Sequence, residues 1–217
     1  MIDLKKYNQV IFDCDGVILD SNGIKSEAFA KSLIGESDFL VDKFINYHKD
    51  NGGISRFVKF EHYFKVLKNQ ESYQKELNEA LKRYSKLSYD GLLNCEEIPG
   101  VRNVLESLLA YNIDCFVVSG GEQDEVKSVL DKRKISNFFK AIYGSPITKI
   151  EHLESIGLDK ALYFGDSWSD YIAAREFNID FIYIYGSSEW NEGLNFCKKN
   201  QIPTFKNFND ILDYGLF

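Results

Sequence analysis

With 217 residues, the chain is long enough for one large domain or for one domain carrying an insert. It is 44% hydrophobic and 27% charged, the balance of a soluble globular protein with a proper core. A net charge of −7 without any Lys/Arg-rich tract argues against a broad nucleic-acid surface, and no stretch nears the roughly 20 apolar residues that span a bilayer.

The opening "MIDLKKYNQVIF" has only a brief apolar run, so no signal peptide is expected. Residues 9–13 read as a short buried strand. From Ser21 to about residue 90 the pattern is helical. Ser21 or Asn22 can cap a first helix that carries Ile24, Ala28 and Leu33 on one face. A second helix covers about 38–49. A third covers about 54–68, where Phe57, Phe60, Phe64 and Leu67 recur at helical spacing. Its lysines Lys59, Lys65 and Lys68 read as the solvated face. A fourth helix covers about 72–88. "EEIPG" at 96–100 then punctuates the chain. After it come helix 101–111, strand 114–119, helix 122–132, strand 141–144, helix 148–156, strand 161–165, helix 168–177 and strand 180–185. A helix, a short strand near Thr204–Phe205 and a last helical turn complete the chain.

Alternation of strand and helix implies parallel pairing with helices on both faces. The economical reading is a doubly wound, Rossmann-like α/β core, 1–19 and 93–217, with an inserted helical domain over 20–92. Cys14, Cys95, Cys115 and Cys197 have no short paired spacing and read as reduced thiols in the cytoplasm. His48, His62 and His152 share no ligand spacing and read as solvated helix positions.

Ligands of open parallel sheets bind beyond the carboxyl ends of the strands. Asp13 ends the first strand and Ser119 the second. Lys149 opens the helix after the third, Asp166 follows the fourth, and Asp170 lies four residues on. Parallel neighbouring strands would turn all five toward one crevice. Each residue also has a purely structural use. Asp13 and Asp15 suit a turn after a strand, Ser119-Gly120-Gly121 suits a tight turn, and Lys149 suits solvent. Asp166 or Ser167 suits an N-cap, with Asp170 in the first turn.

The ordered segments "DCDGVILD", "VVSGG", "GSPITK" and "GDSWSD" resemble the four motifs of the haloacid dehalogenase superfamily. More narrowly, they resemble its phosphatase and phosphomutase branch with a helical cap inserted after the first motif. The resemblance implies that Asp13 is the nucleophile that becomes phosphorylated and Asp15 the acid/base. Ser119 and the Gly120 N–H would hold phosphoryl oxygens, and Lys149 would neutralise phosphoryl charge. It further implies Mg²⁺ held by the Asp13 carboxylate, the Asp15 backbone carbonyl and Asp166, with Asp170 as ligand or supporting partner. In the cap, Arg56 follows the break at Gly52-Gly53. It reads either as a grip on the substrate's leaving group or as an exposed helix start.

The function implied is a Mg²⁺-dependent phosphatase acting on a small phosphate ester, a sugar or sugar-acid phosphate, through an aspartyl-phosphate. The alternative is a sugar phosphomutase of the β-phosphoglucomutase type, which shares every core residue. A third reading is a phosphate-binding protein without turnover. The expected protein is a cytoplasmic monomer with no nucleic-acid or membrane partner.

Overall fold

In the computed structural model, which describes residues 3–213, the apolar run before the aspartate pair forms strand β1 (Gln9–Phe12). Its side chains alternate between two buried faces. Val10 and Phe12 pack into one apolar cluster and Ile11 into another. Burial on both sides is the condition of a central strand in a parallel sheet. Five strands join it: β2 (Asp114–Glu122), β3 (Ala141–Ser145), β4 (Ala161–Gly165), β5 (Asp180–Ile184) and β6 (Thr204–Phe205). All pair in parallel, in the order β3-β2-β1-β4-β5-β6. The winding therefore reverses beside β1, at the position where open α/β sheets leave a crevice.

The helices of this sheet are α5 (Val101–Ala110), α6 (Gln123–Lys132), α7 (Lys149–Ile156), α8 (Trp168–Glu176), α9 (Gly193–Lys199) and α10 (Phe208–Asp213), numbered after the four of the insert. Helices α5, α6 and α10 cover the face of Val10 and Phe12, while α7, α8 and α9 cover the face of Ile11. The fold is thus α/β and doubly wound. Phe12 anchors the first face, with its ring 5.2 Å from Phe164 and 6.0 Å from Phe208.

Between β1 and α5 lie α1 (Asn22–Ser32), α2 (Asp38–Asp50), α3 (Arg56–His62) and α4 (Gln74–Asn94). They enclose a third apolar cluster rich in aromatic rings: Phe29, Phe44, Phe60, Tyr63, Phe64 and Tyr84. The chain leaves and returns side by side. Asp20 N–H donates to Glu96 O at 2.9 Å, and Ile98 N–H to Ile18 O at 2.9 Å. Among the described residues no helix is long and apolar enough to cross a membrane.

Several details differ from the sequence reading. The third helix is α-helical only to His62 and widens into a π-helical turn over Tyr63–Leu67. The wider turn lets the adjacent Tyr63 and Phe64 both face the apolar cluster. Strand β2 runs past Ser119 to Glu122, with a register shift after Val118. His48 and His152 are buried rather than solvated, as is Lys59 at 2% exposure. Helical spacing identifies an apolar face. It does not reveal whether the opposite face meets water or another part of the protein.

Candidate active site

Asp13 extends β1 by one residue: its N–H donates to Phe164 O at 3.0 Å. That bond fixes the carboxylate at the end of the central strand. The chain then turns tightly, with Gly16 N–H donating to Leu19 O at 2.8 Å. Gly16 sits at φ +75°, and a Cβ there would collide with the Asp166 carboxylate and the Asn22 amide. The turn therefore needs glycine both for its backbone and for the space that Asp166 occupies.

The capping chemistry of α8 holds the second acidic group. Ser167 caps the helix, and Asp170 returns the interaction in a capping box. Both Asp170 oxygens are engaged. One meets Lys149 Nζ at 2.5 Å and the Tyr163 hydroxyl at 3.0 Å. The other accepts from Ser167 Oγ at 2.5 Å and Ser167 N–H at 3.0 Å. The capping role that the sequence offers for this motif is thus realised, in the same carboxylate that holds Lys149. Asp166 accepts from Asn22 Nδ2 at 2.5 Å.

Oxygens of Asp13, Asp166 and Asp170 lie within 4.8 Å of one another, and all three residues are buried. Lys149 Nζ lies 3.2 Å from Asp13 Oδ1, yet that oxygen has no aligned hydrogen bond. Burial pushes the Asp13 carboxyl up to about 7; Lys149 opposes this, while Asp170 and Asp15 reinforce it. Asp166 is pushed well above the usual range, first by burial and then by Asp13 and Asp170. A buried carboxylate oxygen without a hydrogen bond, beside two further carboxylates, is the donor set of a hard cation. The residues therefore fit a divalent ion.

Asp15 is held by groups outside the four motifs. Lys25 of α1 pairs with its Oδ2, and Ser21 Oγ donates to its Oδ1 at 2.6 Å. Its carboxyl is buried, which alone would raise its pKa. The Lys25 ammonium and the hydrogen bonds outweigh burial and hold it below the usual range. Ser21 occupies the N-cap position of α1 but spends its hydroxyl on Asp15 instead of on the helix.

Ser119 is buried beneath the site, where its Oγ accepts from Gly121 N–H at 3.0 Å. Gly120 and Gly121 line the cavity. Any Cβ at Gly120 would strike the Gly53 carbonyl, so the "NGG" segment of the insert rests directly on the end of β2. Gly53 has φ +76°, and a Cβ there would crowd Ser167 Oγ and Lys149 Nζ. Arg56 also lines the cavity, but its guanidinium is bidentate to Glu125 of α6, at 2.9 and 2.5 Å. It also donates to Ser85 at 3.1 Å and lies 4.7 Å from the Tyr84 ring centre.

The sequence motifs do not include Ser21, Asn22, Lys25 or Tyr163. The first three follow "DCDGVILD" directly, and asking what neutralises a buried Asp15 would have pointed to Lys25. The cavity enclosed between the insert and the strand ends is about 60 Å³. Its lining combines Asp13, Asp15, Asp50, Asp166 and Glu189 with Lys25, Lys49, Arg56 and Lys59.

The sequence profile of the haloacid dehalogenase-like hydrolases matches residues 10–184. A phosphoglycolate phosphatase of Aquifex aeolicus is 26% identical over 179 residues, which cover 76% of this chain and 79% of that protein. Among solved structures, a predicted phosphoglycolate phosphatase from Haemophilus somnus superposes with a TM-score of 0.76 at 18% identity, covering 98% of this chain and 99% of that one. A Bacillus subtilis protein described as a HAD-hydrolase, bound to magnesium, gives 0.66 at 16% identity, covering 96% and 98%. A profile that runs from the first strand to the fifth takes in all four acidic and basic segments around the crevice, and it places this chain in the haloacid dehalogenase-like hydrolase family.

Proposed function

We propose that the protein is a Mg²⁺-dependent phosphatase that hydrolyses a small phosphomonoester, a sugar or sugar-acid phosphate, through an aspartyl-phosphate on Asp13. The observation that carries this reading is Asp13 Oδ1, buried in the cavity wall without an aligned hydrogen bond. The names of the relatives support phosphatase chemistry, since the Aquifex protein is a phosphoglycolate phosphatase.

In this reading residues 20–92 form a cap over the core of 1–19 and 93–217. Mg²⁺ would be held by the Asp13 and Asp166 carboxylates and the Asp15 carbonyl, supplying positive charge against the phosphate and the clustered acids. Asp170, with both oxygens engaged, orients Lys149 and the Asp166 turn. An Asp13 carboxylate oxygen attacks phosphorus, and the P–O bond to the leaving group breaks. Asp15 gives the departing oxygen its proton, then takes a proton from the water that cleaves the aspartyl-phosphate. The Lys25 ammonium favours the base form of Asp15; an incoming phosphate dianion raises its affinity for the proton that the first step needs. Lys149 and the Gly120 N–H balance charge on the phosphoryl oxygens. Ser119 shapes the loop that carries that N–H.

A sugar phosphomutase would need room for a bisphosphate to turn over. It would share every core residue with the phosphatase, so the two readings part on the product released. The test is phosphate release over a panel of sugar, nucleotide and carboxylic-acid phosphates, with the Asp13→Asn variant as blank. Turnover confined to the wild type, abolished by EDTA, is expected. Undiminished activity in Asp13→Asn overturns the proposal, and an isomerised sugar phosphate without free phosphate would favour the mutase.

A further inference from the structure

The insert contributes Lys25, Lys49, Arg56 and Lys59 to the cavity wall, and three of these four are already committed. Lys25 is paired with Asp15, Arg56 with Glu125, and Lys49 with Glu189 at 3.6 Å. Lys59 forms no ion pair among the described residues, although it lines the cavity and is only 2% exposed.

Its hydrogen bonds can be directed from the far end of a relay. Ser26 Oγ lies 2.7 Å from a Glu189 carboxylate oxygen and 3.0 Å from His48 Nε2. A carboxylate only accepts, so the single Ser26 proton goes to Glu189, and Ser26 must accept from His48 Nε2–H. Burial, reinforced by Lys59, lowers His48 to about 2 and keeps the ring neutral. Its Nδ1 is therefore bare, and Lys59 Nζ donates to it at 2.7 Å. A second Lys59 N–H points to the His48 carbonyl at 3.3 Å. The Phe29 ring lies 5.5 Å away. That leaves one ammonium proton, and the charge itself, without an ion-pair partner at the cavity wall; Asp15 and Glu189 act on it only through space.

We propose that Lys59 is the specificity-determining residue of the cap, and that the substrate's leaving group carries its own anionic group, a carboxylate on a short carbon chain, which pairs with Lys59. The substrate half of this assignment rests on the phosphatase reading above. A buried ammonium without a counter-ion is costly, and an anion delivered by the ligand offsets that cost only when the right ligand binds. Burial and the nearby Lys25 lower Lys59 to about 7, against an opposing pull from Asp15 and Glu189. A bound carboxylate reverses that direction. A carboxylate adds one negative charge to a site already crowded with Asp13, Asp15 and Asp166, where a second phosphate would add about two.

The test measures binding, so that turnover is not required. In the Asp13→Asn protein with saturating Mg²⁺, calorimetry compares 2-phosphoglycolate with isobutyl phosphate, an isostere in which an isopropyl group replaces the carboxylate. Phosphoglycolate is expected to bind about ten- to a hundredfold more tightly, the range for a hydrogen bond to a charged group. Adding Lys59→Met should bring the ratio near one, with isobutyl phosphate affinity unchanged. Lys59→Gln, which keeps a hydrogen bond to His48, gives a second reading of the same ratio. A preference that survives both substitutions, equal weakening of both ligands, or no preference at the outset overturns the assignment. A Lys59-dependent preference in a protein that releases no phosphate sustains it while overturning the phosphatase reading.

Discussion

Lys59 lies on the same face as Arg56 and Phe60 of α3 and Tyr63 of the turn that follows, yet that face meets two different surroundings. The rings enter the aromatic cluster, while the two cations meet the cavity. Its protonation predicts a measurable signature. The ordinary lysine value of 10.5 applies in the unfolded chain, and the folded value is about 7. The folded protein therefore binds fewer protons than the unfolded one between pH 7 and 10.5, and stability rises with pH through that window. The destabilisation is full below pH 7 and absent above 10.5. Lys59→Met should accordingly melt above the wild type at pH 7, with the gap closing toward pH 10. A gap that is constant with pH, or of opposite sign, would show that the ammonium is not desolvated in solution.

At the scale of elements, Arg56 joins α3 of the insert to α6 of the sheet. Both side chains of the pair are buried, at 4% and 8% exposure. Removing one partner of such a pair leaves the other charge stranded, which costs about 3–5 kcal/mol, whereas replacing both by apolar groups is close to neutral. Arg56→Ala should therefore lower stability by about that amount in urea unfolding, and Arg56→Met with Glu125→Leu should recover most of it. Equal losses in the single and double variants would assign the effect to the Ser85 and Tyr84 contacts instead. The connecting segments at Ile18–Asp20 and Glu96–Ile98 pair with each other, so the insert is held at its base and, through Arg56, beside the cavity.

At the scale of the whole molecule, the strands concentrate unfavourable charge where they end. Asp13, Asp166 and Asp170 share one buried pocket, and among the described residues Lys149 is the one ammonium within 4 Å of them. A divalent ion that binds the folded chain and not the unfolded one stabilises by about 2.7 kcal/mol at a hundredfold excess over its Kd. Adding Mg²⁺ should raise the melting temperature of the wild type. Asp166→Asn should abolish the rise while melting close to or above the metal-free wild type, because a like charge has been removed. An unchanged wild-type melting temperature at saturating Mg²⁺ would argue against the metal centre.

The sequence by itself determined the sheet and its acidic edge. An apolar run such as Val10–Phe12 can only be satisfied by burial on two sides, and a carboxylate placed directly after it falls at the crevice. The same logic placed Lys149 and Asp166, since each follows a strand of the same parallel sheet. Tertiary structure alone decided the partners of those charges. Asn22 reaches Asp166 across 144 residues, and Arg56 reaches Glu125 across 69. It also decided that Lys59 and His48 lie away from solvent. Periodicity along a helix records which side chains avoid water, but a polar face reads the same whether it meets solvent or a catalytic cavity. Only the docking of the insert onto the strand ends distinguishes the two.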